Sequence, residues 1–300
     1  MSETSRKILV SGASGPIGAA LVPLLKQHGY EVIRLVRGTK SAGDEIPWDP
    51  SQPLRPQLVS GFDAVVHLAG ESIVGRWNAA KKRRILDSRV QGTRHLAEAL
   101  AEAPARPRVL ITASAIGYYG DRGEEILRED SRSGNGFLPE VCREWEAASA
   151  RAEEAGIRRV QIRIGLVLSP LGGALQKMLT PFRLGVGGRI GSGKQWWSWI
   201  HVQDLAGAIQ HVMTGDLSGP VNLVAPAPVR NAEFTSALAS VLSRPAIFPM
   251  PAFAVRLGFG EMGDELLLAS QHVEPTKLTM SGYAFQFPEL KKALEAILKR

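Results

Sequence analysis

The chain has 300 residues, 44% of them hydrophobic and a single one cysteine, which allows a large apolar core without covalent staples and excludes an intrachain disulfide framework or a multi-cysteine metal site. A formal net charge of +7 attracts anions of any kind, nucleotides as readily as nucleic acid. No long apolar segment follows the N-terminal Met-Ser-Glu-Thr-Ser-Arg-Lys and no apolar stretch approaches the ~20 residues of a membrane span, so a cytoplasmic location without a membrane partner is expected. The densest basic run, Lys81-Lys82-Arg83-Arg84, reads as a solvated helix face, and no zinc-finger spacing or aromatic-basic signature accompanies it, so nucleic acid is not an expected partner.

In chain order, Ile8-Leu9-Val10 is a short continuous apolar run, the pattern of a strand buried on both faces. A loop, Gly12-Ala13-Ser14-Gly15-Pro16-Ile17-Gly18, leads into a predicted helix over residues 17–28, with apolar Ile17, Leu21, Leu24 and Leu25 on one face and Gly29 as its stop. Further strand-like runs fall at 32–36, 64–68, 108–111 and 160–164, with helices predicted at 90–102 and 140–154. This alternation predicts an α/β, Rossmann-like doubly wound parallel sheet. From about residue 171 the pattern loosens into the Gly-rich stretch 185–193, then gives a helix at 202–213, a strand at 220–223 and a helix at 231–242. A Pro-rich segment, 245–251, precedes a tail ending in an amphipathic helix over 288–298. The expected division is a main domain at 7–225, carrying a smaller substrate-side lobe from about 171, and a small C-terminal domain at 245–295. No internal repeat is present.

The glycine loop stands where a dinucleotide-binding loop must stand, directly after the first strand and opening the first helix. Gly12 permits the tight turn, small residues allow a pyrophosphate to approach the backbone, and Gly18 allows close helix packing while the helix start faces the anion. The end of the second strand usually carries an acid that bonds the ribose 2′-hydroxyl of NAD. Here Val36 is followed by Arg37, a cation suited to a 2′-phosphate, so NADP(H) is the expected cofactor, with Lys40 as a second contact.

The spacing Gly-x-x-Gly-x-x-Gly resembles the short-chain dehydrogenase/reductase superfamily, in its extended branch. His67-Leu68-Ala69-Gly70 resembles that superfamily's strand-end motif, which implies that Leu68, Ala69 and Gly70 lie against the cofactor. Ser114-Ala115-Ile116-Gly117-Tyr118-Tyr119-Gly120, placed after the fifth strand, resembles the serine-bearing active-site segment. Trp199-Ile200-His201-Val202-Gln203-Asp204 resembles the late motif that precedes a substrate-domain helix. Gly70-Glu71-Ser72-Ile73, Cys142-Arg143-Glu144-Trp145-Glu146, Gly191-Ser192-Gly193-Lys194-Gln195 and Gly258-Phe259-Gly260-Glu261-Met262 together resemble the "epimerase family protein" group, an atypical branch whose members end in a small domain of unassigned role.

The superfamily's chemistry implies a Tyr and, four residues later, a Lys on one helix face, the ammonium lowering the phenol's pKa. No Tyr-x-x-x-Lys occurs in this chain; with Glu146 set on the glutamate that usually follows the dyad, the resemblance implies that those places fall on Leu138 and Cys142. Ser114 is therefore the expected hydrogen-bond donor to a substrate oxygen, Tyr118 and Tyr119 are candidate acids, and Glu71 and Glu146 are weaker ones. Cys142, inside a helix, reads as core packing rather than a nucleophile. Residues 188–194 have a phosphate-loop spacing, but Gln195 replaces the required Ser or Thr; with Trp196, Trp197 and Trp199 the stretch is expected to line the substrate crevice. The scattered histidines form no metal-binding pair. Two functions compete: an NADP(H)-dependent oxidoreductase or epimerase acting on a small carbonyl or hydroxyl compound, and a non-catalytic dinucleotide-sensing or scaffold protein that has lost the dyad. A homodimer is the candidate assembly.

Overall fold

Seven strands form the central sheet of the structure, a computed structural model that describes residues 6–38 and 43–299. They are β1 (Lys7–Ser11), β2 (Glu31–Arg37), β3 (Glu45–Trp48), β4 (Ala64–His67), β5 (Val109–Ala115), β6 (Arg158–Ile164) and β7 (Gly219–Leu223). All neighbours pair in parallel, in the order β7-β6-β5-β4-β1-β2-β3. The chain starts in mid-sheet, winds out to β3, then crosses back to β4 and winds to the other edge. This is the doubly wound layout read from the sequence, and its ligand crevice falls where the winding reverses, at the carboxyl ends of β1 and β4.

Alternation along each strand splits the core into two layers. Ile8, Val10, Val66 and Ile111 face one side, against α1 (Pro16–Gln27) and a later helix, Val202–Thr214. Leu9, Val65 and Leu110 face the other, against Leu96 and Leu100 of α2 (Ala79–Glu102). Side chains buried this completely contribute roughly 1.5–3 kcal/mol each from loss of water contact. A separate cluster packs α4 (Ala174–Arg183), α6 (Asn231–Leu242) and α7 (Leu290–Leu298) around Trp199, Phe234 and Leu294. Between α2 and α4 lies α3 (Phe137–Ala147), and Val202–Thr214 is α5.

Some boundaries differ from expectation for local reasons. Strand β3 was not anticipated because it contains Pro47; at the sheet edge a missing N–H costs no ladder bond. Helix α2 begins at Ala79 rather than 90, where the Asn78 side chain accepts the Lys81 amide at 2.8 Å. Its first turns are mostly cationic, which hides the helical period. The expected helix at 140–154 breaks into α3 and a short separate helix, Ala150–Glu154. The tail returns to the body: His272–Val273 pairs with Ile126–Leu127, and the buried Asp204 carboxylate accepts the amides of Gln286 and Phe287 at 2.7 and 2.9 Å. Among the described residues no helix is long and apolar enough to cross a membrane, and no cluster of His, Cys, Asp and Glu could hold a metal ion.

Candidate functional site

At the end of β1 the chain turns through Gly12, φ +69°. A Cβ on Gly12 would lie 2.7 Å from the Leu68 carbonyl carbon and 2.8 Å from the Ala69 nitrogen, so glycine alone lets the two strand ends touch. A Cβ on Gly18 would lie 2.5 Å from both the Ala13 Cα and the Gly12 carbonyl oxygen, so its absence seats the first turn of α1 on the loop. Between them Ser14 is exposed, Gly15 enters the helix in extended backbone with no side-chain cap, and Pro16 takes the first position, where its missing N–H costs nothing. Ile17 packs on the sheet. With no acid in the first turn, the free amides and the positive end of the helix dipole make this an anion-binding position.

Leu68, Ala69 and Gly70 continue from β4 alongside the loop. The Ser11 Oγ accepts the Leu68 amide at 3.1 Å and shares a hydrogen bond of 2.6 Å with Nδ1 of the buried His67. Burial pushes the His67 ring down to about 4, so it is neutral and ties β1 to β4 without charge. Arg37, at the end of β2, is exposed. Lys40 lies outside the described residues. The Lys81 ammonium, 2.8 Å from Glu71, holds that carboxyl below its usual range, aided by the charges of Arg84 and Arg37. Glu71 is therefore ionised at neutral pH and supplies no proton, which removes it from the candidate acids. The basic run is not all solvated, since Lys81 pairs with Glu71 and Lys82 with Glu261.

Ser114 stands inside β5 rather than after it, 3% exposed, with Oγ donating to Glu146 at 2.7 Å. Glu146 also receives Nε and Nη2 of Arg163 at 2.8 and 2.9 Å. Arg163 Nη1 donates to the Tyr119 hydroxyl at 3.0 Å, and that hydroxyl lies 2.8 Å from Asn222 Oδ1 and 2.9 Å from the Arg128 carbonyl. Fully buried, the Tyr119 phenol is pushed up to about 12. Its hydroxyl is spent on the core, which corrects its assignment as an acid. Tyr118 is partly buried, its ring 3.5 Å from the Arg163 guanidinium, and its hydroxyl has no hydrogen bond among the described residues. Arg163 went unrecognised in the sequence; the signal was a cation at an inward position of an apolar strand, which demands a buried partner.

Leu138 and Cys142, at the dyad places, both face the end of β5. Leu138 packs against Gly117, and the Cys142 Sγ is 3.7 Å from the Ala115 carbonyl. Burial pushes the Cys142 thiol up to about 12, consistent with packing rather than nucleophilic chemistry. The start of α3 is capped from the tail: Glu265 accepts the amides of Phe137 and Leu138 at 2.8 and 2.7 Å. A cavity of about 260 Å³ adjoins Leu138, lined also by Gly117, Asn135, Arg256, Glu265 and Leu268. The tryptophans do not line it. Trp197 and Trp199 belong to the second lobe's core, and Trp196 stacks on His272 with ring centroids 4.1 Å apart. Another residue missed in the sequence is Arg89, whose guanidinium lies beneath Gly70, donates to the Glu71 carbonyl at 2.9 Å and sits 5.0 Å from the Trp145 ring.

A doubly wound sheet with a glycine turn at its switch point and a second lobe over its carboxyl edge defines a Rossmann-like α/β protein. Residues 8–223 match the model of the NAD dependent epimerase/dehydratase family, and residues 250–297 match a domain of unknown function, DUF1731. The chain belongs to the NAD dependent epimerase/dehydratase family. It is 41% identical to the epimerase family protein Mb2239 of Mycobacterium bovis over 290 residues, covering 96% of each chain. It is 42% identical to the epimerase family protein SDR39U1 of Bos taurus over 298 residues, covering 97% of this chain and 99% of the relative. Its fold is similar to the crystal structure of the human epimerase family protein SDR39U1 (isoform 2) with NADPH, with a TM-score of 0.90, 38% identity, and coverage of 98% of this chain and 99% of the human one.

Proposed function

We propose that the chain binds NADP(H) and acts as an oxidoreductase or epimerase on a small carbonyl or hydroxyl compound in the cytoplasm. The fit of the first loop carries this reading: an uncapped helix start, with no acid in its first turn, stands over a turn that touches the end of β4. Gly12, Ser14, Gly15, Pro16, Ile17 and Gly18 would hold the pyrophosphate, Leu68, Ala69 and Gly70 the flanking halves, and Arg37, with Lys40, the 2′-phosphate. The relative crystallised with NADPH supports the cofactor. When bound, NADPH supplies a hydride. The chain's own part is to position a substrate oxygen near the end of β5 and to deliver a proton. Tyr118 is the candidate acid, since Ser114 and Tyr119 are engaged with Glu146 and Asn222.

A second reading, a dinucleotide-sensing protein without turnover, is favoured by Leu138 and Cys142 at the dyad places, both under 7% exposed. Both readings share one premise, tested by NADPH fluorescence titration; no binding at millimolar cofactor removes both. Arg37→Asp should cost NADPH at least about tenfold in affinity, near 1.4 kcal/mol, while sparing NADH. Unchanged preference would place the 2′-phosphate elsewhere. A carbonyl panel with NADPH oxidation as readout separates the two readings. Turnover abolished by Tyr118→Phe supports the enzyme, and absence of turnover across the panel supports the sensor.

A further inference from the structure

Among the described residues, many of the exposed apolar side chains lie in two segments, 184–186 and 247–257. Leu184, Ile247, Phe253 and Leu257 are each 71–76% exposed, with Val186 and Phe248 beside them more than half exposed. The two segments, distant in sequence, are fastened together into one surface: the Phe248 and Met250 amides donate to the carbonyls of Gly187 and Arg189 at 3.3 and 2.9 Å. Phe253 and Leu257 project from the same face of the helix Ala252–Phe259, four residues apart.

Charge names the occupant. The exposed cations Arg183, Arg189 and Arg244 stand in or beside the same two stretches of chain. No Asp or Glu occurs between Glu154 and Asp204 or between Glu233 and Glu261, so the two segments forming the surface carry no acid. Asp264, in the segment that follows this helix, is matched by Arg256 at 2.8 Å. A second copy docked face to face would set these arginines against their own counterparts. A groove-binding helix needs a concave apolar seat, whereas side chains exposed to this degree protrude. Protruding aromatic and aliphatic residues on acid-free segments, with Arg183, Arg189 and Arg244 in no ion pair among the described residues, suit the headgroup region of an anionic bilayer.

We propose that this surface docks the protein on anionic lipid membranes as a peripheral, non-spanning contact. Flotation of the full chain with phosphatidylcholine vesicles, with and without phosphatidylglycerol, tests it. Binding to the anionic vesicles should exceed binding to the neutral ones by at least about tenfold and weaken as salt rises. Arg183→Glu with Arg244→Glu, and separately Phe253→Ser with Leu257→Ser, should each reduce it about tenfold or more, while NADPH titration and the circular dichroism spectrum stay unchanged. Equal partition onto both vesicle types, or binding indifferent to both pairs of substitutions, overturns the proposal. Light scattering that shows a dimer split by Phe253→Ser with Leu257→Ser, without vesicle binding, overturns it in favour of a second copy. Retention on an immobilised acidic polypeptide without vesicle binding overturns it in favour of a protein partner.

Discussion

Single atoms decide much at the carboxyl edge of the sheet. A methyl group on Gly18 has no place to go, with backbone atoms 2.5 Å away, so Gly18→Ala should displace α1 and weaken NADPH by at least about tenfold; unaltered fluorescence titration would show that the loop tolerates the shift. His67 links stability to pH. Its folded value of about 4 lies below the ordinary 6.5, so the unfolded chain binds more protons between those limits. Its contribution is therefore complete above about pH 6.5 and falls away as pH drops toward 4, about 3 kcal/mol in all. Thermal melts across this range should slope less in His67→Gln than in the parent, and parallel profiles would count against the buried neutral ring. Cys142, buried with its thiol pushed up to about 12, should resist iodoacetamide at pH 8 until denaturant is added. Rapid labelling of the native protein would contradict that burial.

At the scale of elements, α3 is the piece most altered in its chemistry. Its inward face carries Leu138 and Cys142, and its further end carries Glu146, the acceptor shared by Ser114 and Arg163. Removing one partner of a buried pair strands the other charge, so Glu146→Ala should destabilise by about 3–5 kcal/mol. Ser114→Ala deletes one hydrogen bond and should cost about 1 kcal/mol. Urea midpoints read the difference, and equal losses would mean that Arg163 finds another partner. The same helix is capped by Glu265 from the tail rather than by its own neighbours, and Glu265→Ala should cost about 1 kcal/mol. The tail thus sets the position of the element that carries the dyad places.

For the molecule as a whole, the tail is part of the second lobe's core. Leu290, Ala293, Leu294 and Ile297 of α7 pack with Phe234 and Leu238 of α6, while Asp204, at the start of the helix against the main sheet, holds the backbone of Gln286 and Phe287. Leu294→Ala should lower stability by about 2–5 kcal/mol. Because sheet and lobe share these contacts, near-ultraviolet and far-ultraviolet circular dichroism should lose signal together; separate transitions would show the lobe unfolding alone.

The doubly wound sheet and the glycine turn were legible because each rests on local signals, continuous apolar runs and glycines at fixed spacing; Arg37 as the 2′-phosphate contact is the proposal that the Arg37→Asp titration tests. β3 was hidden by Pro47, whose strand is tolerated only through its edge position, and the start of α2 by cations that blur a helical period. Sequence also determined that no Tyr-x-x-x-Lys pair occurs in the chain. Tertiary structure alone decided the rest: that Tyr119 and Ser114 turn toward Asn222 and Glu146, that Glu71 is ionised beside Lys81, and that Trp197 and Trp199 fill a core. The reason is physical. A side chain's type is written in the chain, but its solvent exposure and hydrogen-bond partners come from residues far away in sequence, and these determine whether a hydroxyl or carboxyl can exchange a proton.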